Sequence, residues 1–115
     1  GMPVDRVILS HMDENLDRGY HDAVAETGCV LELDTFGSEA LYSTKSRARN
    51  PTDPERLAAL EHLISIGAGD RIVIGCDIWT QGNLLRNGGC GYEHLFKRVA
   101  PALEWACGAD AETAR

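Results

Sequence analysis

The chain has 115 residues, with 18 acidic against 11 basic side chains, a net charge of −7 and a pI near 4.9. Its 43% hydrophobic and 25% charged content, without low-complexity runs, supports a core and excludes a disordered tail, while the length allows at most one domain. The lysines and arginines form no basic stripe, which argues against nucleic acid as a partner, and no apolar run approaches the ~20 residues of a membrane span.

The first apolar run, "RVILS" (6–10), ends on His11. A helical pattern follows over Asn15–Thr27, with Gly19 inside it and Gly28 placed to cap its carboxyl end. The second run, "CVLEL" (29–33), ends on Asp34. A polar stretch, "YSTKSRARNPTD" (42–53), reads as a loop at a rim. The strongest helical pattern covers Asp53–Ile66, with Asp53 as its cap, Pro54 in its first turn and Gly67 at its end. Leu57, Leu60, Leu63 and Ile64 give this helix one apolar face. The third run, "IVIGC" (72–76), ends on Asp77. A last helix is expected over Tyr92–Cys107, closed by Gly108 and bent or divided at Pro101.

Short β-branched runs without clean alternation indicate strands buried on both faces, as in parallel sheets. The order βαβαβα predicts an α/β architecture with a parallel sheet, in which ligands gather at the carboxyl ends of the strands. His11, Asp34 and Asp77 all lie at that rim. Three units at roughly 35 residues each fit the spacing of an eight-unit barrel of ~250 residues, yet eight units are not present. The chain reads as part of a barrel or as an unusually small open sheet.

Five motifs in register carry a resemblance: "SHMDE" (10–14), "LELDTFG" (31–37), "TDPERLAAL" (52–60), "GDRIVIGCDIW" (69–79) and "NGGCGYEHL" (87–95). Together they resemble the C-terminal part of phosphotriesterase-like proteins of the amidohydrolase superfamily. The resemblance implies a (β/α)8 TIM barrel of which residues 1–115 supply strands six to eight, an incomplete barrel. It implies two divalent metals, usually zinc, with manganese or cobalt as alternatives. His11 would bind one metal; Asp77 would bind the other and take the proton from the attacking hydroxide. Asp34 and Trp79 would lie on the substrate side. The expected reaction is hydrolysis of a lactone, ester or related bond of a small molecule. In the best-known members a carboxylate near Asp13 and Glu14 and a histidine just after the Asp34 position relay protons. Thr35 stands at that second position here, so the relay would differ.

The family's other ligands, a His-x-His pair, a bridging lysine or glutamate and a further histidine, have no counterpart in this sequence, and the isolated chain is expected to be inactive. The alternative is a non-catalytic α/β binding module derived from the barrel; a third option is homo-oligomerisation through the edges of strands one and three. Cys29, Cys76, Cys90 and Cys107 form no CxxC pair and are expected to be reduced thiols of a cytoplasmic protein. Taken alone, His11 could be a hydrogen-bonded strand-end histidine and Asp77 a cap. "NGGCG" reads as a structural loop rather than a phosphate cradle, since it lacks a P-loop lysine. Tyr92 and His94 are expected below the site, Trp79 and Trp105 in core or pocket wall, and His21 and His62 in solvent.

Overall fold

The computed structural model describes residues 1–39 and 49–107. Three parallel strands, β1 (Ile8–Leu9), β2 (Val30–Leu33) and β3 (Ile72–Ile74), form one sheet in the order β1-β2-β3. Helix α1 (Arg18–Glu26) joins β1 to β2, α2 (Asp53–Ser65) precedes β3, and α3 (Ala100–Cys107) ends the described chain. The expected βαβαβα order is therefore present. Most of the rim stretch 42–53 and the stop at Gly108 lie outside the described residues.

The strands are shorter than the apolar runs because ladder bonding stops early, yet isolated bonds carry the pairing to the rim. Met12 N–H donates to the Glu32 carbonyl (3.0 Å), Gly75 N–H to Leu33 (2.9 Å) and Phe36 N–H to Gly75 (3.2 Å). These bonds fix the residues just past each strand's carboxyl end. At the opposite end, Arg71 Nη1 donates to the carbonyls of Ala25 and Cys29, tying β3 to the turn before β2.

Alternation along β2 sends Leu31 and Leu33 towards the helices, where they are buried with Phe36, Leu60 and Leu63. The other face is bare: Ile8 is 56% and Val73 44% exposed. Strands buried on both faces were expected, and among the described residues only one face is covered. The helices form a single layer, and nothing among the described residues covers the other side.

Helix α1 is capped by Asp17, whose carboxylate accepts the Tyr20 amide (2.8 Å), and ends at Thr27 with Gly28 at φ 85°. Helix α2 is capped by Thr52, not Asp53. Thr52 and Glu55 form a reciprocal capping box, which frees Asp53 for other partners. The expected third helix divides into a π-helical turn (Leu95–Val99) and α3. The division falls beside Pro101, which has no N–H to continue the ladder.

Neither tryptophan lies in the core: Trp79 is 72% and Trp105 88% exposed, which leaves only the pocket-wall reading for them. Their neighbours among the described residues are too few to enclose an indole. His21 is fully buried, its Nε2 donating to the Met12 carbonyl (2.8 Å), and His62 is half-buried against Asp22 (2.6 Å). Neither is solvated as expected, because each faces the chain rather than water.

Candidate active site

Non-glycine residues avoid positive φ because Cβ meets the carbonyl, at a cost of roughly 1–3 kcal/mol. Among the described residues, two adopt it: His11 (φ 59°) and Asp77 (φ 43°). They terminate the first and third strand runs, on either side of Asp34. Backbone strain thus sits at two of the positions singled out by chemistry.

Asp34 grips His11 twice. Its Oδ1 accepts the His11 backbone N–H (3.0 Å) and lies 2.9 Å from His11 Nδ1. With Nδ1–H donating to the carboxylate, Nε2 keeps its lone pair, the arrangement by which carboxylates orient metal-binding imidazoles. The His11 pKa is raised above its ordinary value, first because Asp34 accepts from the ring. Burial opposes the shift; the charges of Asp34, Glu14 and Asp77 add to it. Asp77 therefore lies close enough to act on the imidazole, although the two share no hydrogen bond. Among the described residues the Asp77 carboxylate has no hydrogen-bond or ion-pair partner.

Trp79 is exposed, two residues beyond Asp77. The structure thus brings His11 and Asp34 into contact, sets Asp77 nearby and leaves Trp79 open. Among the described residues, no three His, Cys, Asp or Glu side chains form a group able to hold a metal.

Behind the rim lies a buried polar network that sequence reading missed. Asp13, fully buried, accepts the amides of Asp34 (3.1 Å) and Thr35 (2.9 Å) and the Thr35 hydroxyl (2.9 Å). Thr35 thus serves Asp13 with both its amide and its hydroxyl. Arg56, also fully buried, places Nε 3.2 Å from Asp13 Oδ2, off the hydrogen-bond line, so this contact is chiefly Coulombic. Its Nη1 donates to Asp53 Oδ1 (3.1 Å) and its Nη2 to the Ser38 carbonyl (2.9 Å). Asp53 also accepts the Gly37 amide (2.8 Å) and pairs with His94 Nε2 (2.6 Å). One signal was available: Arg56 stands four and seven residues before Leu60 and Leu63, a cation on the apolar face of α2.

The glycine loop after Asp77 uses its own amides. Gly88, Gly89 and Gly91 donate to the carbonyls of Leu85, Leu84 and Asn83, which leaves these N–H groups unavailable to an anion and supports a structural loop. A side chain at Gly89 would collide with the backbone of Asn83 and Gly82. Cys76 and Cys90 meet under this loop as free thiols, as does Cys29 elsewhere. Burial pushes the Cys76 thiol up to about 11 and raises that of Cys90.

No helix among the described residues is long and apolar enough to cross a membrane. A family model described as the phosphotriesterase family matches residues 1–113. Curated relatives include an N-acetyltaurine hydrolase of Tetraodon nigroviridis, 36% identical over 105 residues, covering 90% of this chain and 30% of the relative. The human N-acetyltaurine hydrolase is 34% identical over the same shares. Among solved structures, a resiniferatoxin-binding protein from Rhodobacter sphaeroides superposes with a TM-score of 0.90 at 30% identity, over 98% of this chain and 31% of that one. A phosphotriesterase homology protein from Escherichia coli, complexed with phosphate in its active site, gives 0.82 at 26% identity, over 98% and 36%. The chain spans about 30% of the length of the curated relatives it matches. Three parallel βα units with strained strand ends, matched over nearly their whole length by one family model, make this chain a member of the phosphotriesterase family.

Proposed function

We propose that residues 1–115 are the C-terminal portion of a metal-dependent hydrolase barrel and that the complete barrel cleaves a lactone, ester or amide bond of a small molecule. The observation that carries this reading is the rim itself: His11 and Asp77 are held at positive φ on either side of Asp34, which engages Nδ1 of His11 and leaves Nε2 free. The amide option enters through the N-acetyltaurine hydrolase relatives and the lactone option through a Listeria monocytogenes lactonase, 28% identical with a TM-score of 0.75.

The donors fit part of a metal site. A neutral imidazole nitrogen and a carboxylate with no partner among the described residues are hard-to-borderline ligands suited to zinc, manganese or cobalt. Two such groups are too few for a binuclear centre, so the isolated chain is inactive and the remaining ligands come from other strands. Divalent metals at this rim would lower the pKa of water towards ~7 and polarise the bond under attack. In this proposal His11 and Asp77 hold them. Asp34 keeps His11 in the correct tautomer and borders the substrate. Asp77 also accepts the proton released as the nucleophile adds and returns it to the leaving group. Trp79, open at the rim, contacts the substrate.

The test is a complete barrel in which residues 1–113 replace the matching segment of the Escherichia coli homologue, assayed on lactones, aryl esters and N-acetyltaurine. Turnover of at least one class, falling about 10²–10⁴-fold in Asp77→Asn, is expected from the usual size of general-base effects. A folded, metal-loaded barrel without turnover, or with turnover unchanged by Asp77→Asn, would contradict the proposal.

A further inference from the structure

We propose that Arg56 is a positioning residue for this rim, holding the strand ends that carry His11, Asp34 and Asp77 to one buried guanidinium. The inference rests on the reading of His11 as a ligand, and Arg56 itself touches no reacting group.

Arg56 is fully buried in the first turns of α2, an element that contributes nothing to the rim directly. Its Nε faces Asp13, two residues beyond His11. Asp13 in turn accepts the backbone amides of Asp34 and Thr35, which orients the backbone from which the Asp34 carboxylate reaches His11. A buried carboxylate is tolerable only while paired. Without the guanidinium, Asp13 would be drawn towards water and would take the His11 loop and the Asp34 amide with it.

The other arm runs to Asp53, whose second oxygen binds His94 at the start of the last helix, beyond the glycine loop. The guanidinium is planar and forked, and its five donors fix directions as well as charge. It references the loop after β1, the end of β2 and the chain that follows Asp77 to one group. A lysine would keep the charge and lose the fork.

The experiment uses the 115-residue chain without metal. Long-range 1H–15N NMR at alkaline pH, where the imidazole is neutral, reads which nitrogen of His11 carries the proton. The native chain is expected to show Nδ1–H, held by Asp34, with Nε2 bare. In Arg56→Lys the chain should stay folded, judged by its amide spectrum, while the Nδ1–H form is lost to the averaged tautomer pattern of a free imidazole. A purely structural Arg56 would lower the melting temperature and leave the His11 pattern of the folded chain unchanged; that result overturns the proposal. A native chain lacking the Nδ1–H form overturns it as well. Should Arg56→Lys fail to fold, Asp53→Asn loosens the fork from its far side, and a folded Asp53→Asn chain with native His11 signals is equally fatal. Because no metal is present, these outcomes are independent of whether the complete barrel proves to be a hydrolase.

Discussion

At the scale of single residues, chemistry and geometry converge on the strand ends. His11, Asp34 and Asp77 were legible as polar groups closing apolar runs, and the positive φ of two of them gives that pattern a physical cost. Arg56, Asp13, Asp53 and His94 were not legible as a unit. Their contacts span up to 41 residues of chain, and no local pattern encodes a partner that distant. His21 was misplaced for the same reason, since its acceptor is a backbone carbonyl outside its own helix. Two expectations follow here. Cys76 is buried with its thiol raised to about 11, so it should react with iodoacetamide at pH 8 far more slowly in the folded chain than in urea, as read by mass spectrometry. Gly37 has φ 83°, and an added Cβ would stand 2.5 Å from Cys90 Sγ. Gly37→Ala should therefore destabilise by about 1–3 kcal/mol in urea unfolding, combining backbone strain with a clash against the glycine loop.

At the scale of elements, the three βα units and the glycine stops of α1 and α2, Gly28 and Gly67, followed from periodicity and from Gly and Pro punctuation. Helix α2 shows where such reading stops. Both Thr52 and Asp53 are acceptable caps by residue type, and only the fold reveals that Asp53 is committed to Gly37, Arg56 and His94. The true cap gives a further prediction: Thr52→Ala should cost about 1 kcal/mol. Glu55 closes the box and is paired with Arg49, which with the Thr52 bonds holds its carboxyl well below the usual range. A depressed folded-state pKa stabilises above the unfolded value of 4.5 and loses that contribution as pH falls below it. Melting temperature should therefore drop on acidification below that point, and Glu55→Gln should flatten part of the drop. The pair is exposed, so ~1 M salt should largely erase the Glu55 contribution.

At the scale of the whole molecule, the apolar runs overstated burial. They read as strands covered on both sides, and β-branched composition cannot report which side a given chain covers by itself. Ile8 and Val73 show that, among the described residues, one face and the two outer strand edges are left uncovered. In a closed barrel the same face packs inward and the same edges pair with neighbouring strands. On the proposed function the absence of a metal-holding group among the described residues belongs to the same picture: His11 and Asp77 would supply part of a centre whose other ligands come from other strands. Metal content of the completed barrel, set against that of the isolated chain, decides whether the centre is shared between strands in this way. About two equivalents of zinc, manganese or cobalt are expected in the complete barrel, about one lost in His11→Ala, and none retained by residues 1–115 alone. Stoichiometric metal on the isolated chain, or a complete barrel whose metal content is indifferent to His11, would contradict it.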